Sequence, residues 1–109
     1  MNIERLTQAT DALAYAASAT EIGPIATHGM TQLWVDLPAE FNGDTITLAG
    51  STTKEGTYTA LNSDGSAVSF TAVTGWNEVP PTSCVLPYLK LVTNTATAAA
   101  GAIRVAMKS

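Results

Sequence analysis

The chain has 109 residues, the length of one domain, and a core of that size folds without disulfide staples. Hydrophobic residues make up 46% of it and charged residues only 13%, with five basic against nine acidic side chains for a formal charge of -4, a balance that disfavours phosphate backbones and anionic lipid surfaces as partners. Seventeen Thr, seven Val and five Ile favour strands over helices, so the expected fold class is all-β.

Residues 1–20 carry two periodicities at once. Ile3, Leu6, Thr10, Leu13 and Ala17 recur at helical spacing, while Leu13, Tyr15 and Ala17 alternate as in a strand. The expectation is a partly extended N-terminal arm leading into a first strand around residues 13–20, after which Gly23-Pro24 and Thr27-His28-Gly29 mark a loop. From residue 31 strands and turns alternate. Leu33, Val35 and Leu37 share one face of a strand ended by Pro38, with Trp34 and Asp36 on the other. Asn42-Gly43-Asp44 turns the chain into residues 45–49, where Ile46 and Leu48 point inward. Residues 57–61 and 67–73 flank Asn62-Ser63-Asp64-Gly65-Ser66, a hairpin signal, with Val68 and Phe70 on the second arm. Residues 76–87 hold three of the five prolines and read as a loop or edge segment. Leu89 and Leu91 define another inward face, residues 95–100 a small-residue connection, and Ile103, Val105 and Met107 a last strand with Arg104, Ala106 and Lys108 opposite. Short strands separated by turns predict an antiparallel β-sandwich, with a jelly roll as its natural version: an N-terminal arm or first strand over 1–20 and the sandwich over 21–109.

Little of this composition suits catalysis. Cys84 is the only cysteine, so no disulfide forms within the chain, and a cytosol is the expected place of synthesis. The N-terminal residues lack the apolar run of a secretory leader, and polar residues interrupt every hydrophobic stretch, so no membrane association is expected. His28 is the only histidine and reads as a loop residue; Cys84 reads as a small packed hydrophobe. Residues 62–65 lack the spaced acids of a calcium loop. With no nucleophile elbow or phosphate-cradling loop, the chain is expected to be a stoichiometric binder and not an enzyme, with no cofactor and no metal. Trp34 and Trp76 either anchor an interface, or are covered by the N-terminal segment and used to plug an open end, respectively.

Leu33-Trp34-Val35-Asp36-Leu37-Pro38, Asp44 to Ser51, Gly56 to Leu61, Asp64 to Val68 and Tyr88 to Val92, in that order, resemble small virion proteins of tailed bacteriophages, the capsid decoration or cement proteins above all. The resemblance runs from about residue 31 to the C-terminus and rests on length, turn placement and composition. It implies a jelly-roll-like protein on the capsid surface, made in the host bacterial cytoplasm, that binds the major capsid protein and itself as a dimer or trimer. A tail or baseplate component, or a carbohydrate-binding sandwich module using Trp34, Trp76 and Tyr15 as stacking surfaces, is the alternative. The candidate interface residues are Ile3, Leu6, Leu13, Tyr15, Trp34, Trp76 and Val79, with the apolar arm pairing onto a neighbour's strand edge.

Overall fold

The computed structural model describes residues 7–108. In chain order the strands are β1 (Thr7–Tyr15), β2 (Glu21–Ala26), β3 (Gln32–Leu37), β4 (Thr45–Ser51), β5 (Thr59–Ala60), β6 (Asn62–Ser63), β7 (Ser66–Ala67), β8 (Ser69–Thr71), β9 (Gly75–Val79), β10 (Tyr88–Thr93) and β11 (Gly101–Lys108). Short 3₁₀ turns occupy Ala39–Phe41 and Pro81–Val85. The first sheet runs β1-β11-β3-β9 and the second β2-β10-β4-β5, with β8 also on β4; every pairing is antiparallel. Taking β5 and β8 as one interrupted strand leaves eight strands in two sheets, with β1, β3, β9 and β11 in one and β2, β4 and β10 in the other. That order is the double Greek key of a jelly roll.

The alternation read in the sequence places the core. Leu33, Val35, Leu37, Ile46, Leu48, Val68, Leu89, Leu91, Ile103 and Val105 are all buried between the sheets, joined by Ile22, Ile25, Phe41 and Met107. Phe70, expected in the same set, is only half-buried, because β8 is three residues long at the sheet margin.

Four expectations are corrected. Residues 7–15 are not a detached arm. They form the outer strand of the first sheet, the first-strand alternative, paired with β11 from Thr7 opposite Lys108 to Tyr15 opposite Gly101, so the sandwich includes residues before 21. The strand expected over residues 13–20 ends instead at Tyr15. Ser18 takes a left-handed φ of 61° in the following turn, where the Thr97 hydroxyl donates to the Ala16 carbonyl and accepts from the Ala19 N–H. Gly23-Pro24 lies within β2 and not in a loop. Among the described residues β2 is an edge strand bonded to β10 alone, so the N–H that proline lacks leaves no neighbour there unbonded, and Gly23, at φ 141°, sits where a Cβ would approach the Leu89 carbonyl to 3.0 Å. The long hairpin arms expected over 57–61 and 67–73 are broken. Leu48, Leu61 and Val68 bond one another's backbones at the base of the hairpin, and beyond it β6 and β7 pair only with each other. Asp64 and Gly65 at its tip both have positive φ, 52° and 79°, as a tight hairpin turn requires.

Candidate interaction surface

Three adjacent strands build the outer face of the first sheet. Trp34 on β3 stands between Ala106 on β11 and Glu78 on β9; one step along, Asp36 stands between Arg104 and Trp76. The inward partners of these positions, Leu33, Val35, Leu37, Val79, Val105 and Met107, are buried, and that burial fixes the opposite side of every strand outward. Trp34 retains 37% of its accessible surface and Trp76 45%, the two largest side chains exposed among the described residues.

Arg104 ties the face together. Its Nε donates to Asp36 Oδ2 at 3.0 Å and its Nη2 donates to the same oxygen, while the guanidinium carbon lies 5.3 Å from the centre of the Trp76 ring. The contact with the ring is within cation–π range, and it holds the arginine and the indole in one orientation each. Asp36 Oδ1 accepts no hydrogen bond among the described residues. Next to this group an open depression of about 340 Å³ is lined by Asp36, Leu37, Pro38, Thr74, Gly75, Ala102 and Arg104.

At one end of the sandwich four loops are cross-tied. Tyr15 donates from its hydroxyl to Glu40 Oε1 at 2.6 Å, and the other Glu40 oxygen accepts from the Ala98 N–H at 3.3 Å. Asn94 accepts from the Thr45 N–H, and Asn42 from that of Thr74. Burial, then the bond to Glu40 and its negative charge, push the Tyr15 phenol up to about 12. The ring packs edge-on against Phe41 at 5.5 Å between centroids.

The expected interface residues therefore divide. Trp34 and Trp76 share one exposed face. Tyr15 is buried and engaged with Glu40 and Phe41, which removes it as a stacking surface; Leu13 is half-buried against the core. Val79 is wholly buried opposite Leu33, because it is the inward residue at the end of β9, not a loop residue beside Trp76. Ile3 and Leu6 lie outside the described residues. Asp36, Glu78 and Arg104 were missing from the candidate set. Period-two alternation already put Asp36 and Arg104 outward, but only the strand order makes them neighbours of Trp76.

His28 is exposed in the turn after β2 with φ 52°. Cys84 is half-buried in the 3₁₀ turn, where burial pushes its thiol up against a smaller downward pull from a hydrogen bond with Ser83. Residues 62–67 form the β6–β7 hairpin. Among the described residues no helix is long and apolar enough to cross a membrane. Comparison with protein-family models, with curated proteins and with solved structures finds no match to this chain.

Proposed function

We propose that this protein is a structural virion protein that binds the outside of a bacteriophage capsid and strengthens contacts between major capsid protein subunits, docking through the outer face of its first sheet. The observation that carries the proposal is the exposure of Trp34 and Trp76 as diagonal neighbours on one sheet face, with Arg104, Asp36 and Glu78 around them. Exposed tryptophan and arginine are the residue types on which protein interfaces concentrate their binding energy. The resemblance of the sequence to capsid decoration proteins supports the choice of partner, and the jelly-roll strand order agrees with what that resemblance implies.

The test is co-sedimentation of the purified protein with expanded capsids. The proposal expects saturable binding that W34A and W76A abolish while a substitution on the opposite face, K90A, leaves it intact. Binding unaffected by either tryptophan variant would remove this face from the proposal, and no binding by the unaltered chain would remove the capsid.

One observation favours a second reading, a carbohydrate-binding module. The depression is lined by Asp36, whose Oδ1, without a donor among the described residues, is an acceptor for a sugar hydroxyl, and Trp76 lies across the strand pair from Asp36. A glycan-array signal lost in both D36N and W76A, without capsid binding, would establish it in place of the capsid reading.

A further inference from the structure

A sheet edge left open is a template for another strand, and proteins blunt such edges with prolines, bulges or interruption. Three of the four edges here are blunted. β1 carries a register shift between Thr10 and Leu13. β2 contains Pro24 and a second shift opposite Leu89 and Leu91. The far edge of the second sheet is only the two residues of β5 and the three of β8, separated by the β6–β7 hairpin. β9 differs. Its five residues run in unbroken register with β3 and include no proline, and among the described residues no strand lies on its other side.

From this we infer that β9 is a self-association edge, pairing antiparallel with β9 of a second copy about a two-fold axis at Asn77. Three features select that partner and that register. First, centring on Asn77 pairs all five residues, Gly75 with the second copy's Val79 and Trp76 with its Glu78, whereas sliding either way brings Pro80 into the ladder or shortens it. Second, the register keeps like charges apart. Glu78 has no ion-pair partner among the described residues, and the two-fold axis sets each Glu78 opposite the other copy's uncharged Trp76 ring. Centring on Glu78 would instead oppose two carboxylates, which is unfavourable. Third, the edge is rigid. Asn77 points inward and is fixed by donating to the carbonyls of Val73 and Gly75 and accepting from the Val73 N–H, so β9 is held straight before any partner arrives.

The product is a continuous eight-stranded sheet with the tryptophans of both copies on one face. That widens the face assigned above to docking, but the association does not depend on what else the face binds.

Sedimentation equilibrium of the full chain tests it. The unaltered protein is expected to dimerise, and W76E, which sets a carboxylate directly opposite the other copy's Glu78, to associate at least about tenfold more weakly with an unchanged far-ultraviolet spectrum. Adding E78K to W76E, which makes the opposed pair opposite in charge, is expected to restore dimerisation, and this separates loss of the edge from misfolding. In a C84S background, mixing W76C with E78C chains under mild oxidation is expected to give disulfide-linked dimers that neither chain gives alone. A monomeric or trimeric unaltered protein would overturn the inference, as would W76E chains that dimerise as tightly as the unaltered protein, W76E/E78K chains that do not recover, or dimerisation abolished by A14K on the β1 edge.

Discussion

On the first sheet the outward positions of β3, β9 and β11 hold Trp34, Trp76, Glu78 and Arg104, all exposed; on the second, those of β4 and β10 hold Thr45, Thr47, Ala49, Lys90 and Val92. The second face is covered by its own side chains. The Lys90 ammonium lies 4.4 Å from the centre of the Tyr58 ring and 3.4 Å from Glu21, and Ala49, although outward, is buried. Both faces obey the same period of two, and both sit on one shared core. The difference is one of degree: both sheets lay a cation over a ring, Lys90 on Tyr58 and Arg104 on Trp76, but only the first keeps two tryptophans exposed. Alternation determines which residues face out, and the neighbours across the strands determine whether that face remains available.

Substitutions rank by how far they disturb that contrast. Leu48→Ala empties a wholly buried site under the second sheet and is expected to cost about 2–5 kcal/mol in denaturant titration, collapsing both faces together. A cost below about 1 kcal/mol would mean that the sheets do not share one core. Phe70→Ala, at the half-buried margin, is expected to cost about 2 kcal/mol, less than a fully buried phenylalanine. Tyr15→Phe removes the hydroxyl bond to Glu40 and is expected to cost about 1 kcal/mol. Its pH dependence has a definite sign. The Tyr15 phenol, pushed up to about 12 in the folded chain, ionises less readily there than in the unfolded chain. Its contribution is whole below pH 10 and disappears as the pH rises from about 10 to 12, so thermal melts of the unaltered protein should fall more steeply across that window than those of Tyr15→Phe. Lys90→Ala exposes the Tyr58 ring and is expected to cost about 0.5 kcal/mol without altering capsid binding. Trp34→Ala is expected to leave the far-ultraviolet spectrum and a cooperative melt in place and yet to abolish capsid co-sedimentation, which separates binding from folding on the first face.

Much of the core was legible because hydrophobic alternation is a local signal. Residues 33, 35 and 37 announce an inward face without any knowledge of their neighbours. β9 was harder to read for a specific reason. Its inward position 77 is an asparagine satisfied by the backbone of residues 73 and 75, so the apolar alternation that would have placed Val79 inside is interrupted, and the prolines that follow suggested a loop. Phe41 is buried from a 3₁₀ turn that has no strand periodicity to reveal it. β1 was ambiguous because Leu13 fits two periods, and its position beside β11, at the far end of the sequence, is a non-local pairing. The interaction surface was half visible for the same reason. Each of its strands could be given an outward face, but Trp76, Asp36 and Arg104 come together only through the order β11-β3-β9.

The β6–β7 hairpin has a practical consequence. Its six residues, 62–67, are exposed without exception, and its strands bond to each other and to nothing else, while the backbone bonds among Leu48, Leu61 and Val68 clamp its base to the sandwich. The tip at Asp64-Gly65 is therefore mechanically insulated from the core. A foreign peptide spliced between those two residues would be carried as cargo on a stalk, leaving the melting of the jelly roll and the tryptophan face on the other sheet unaffected.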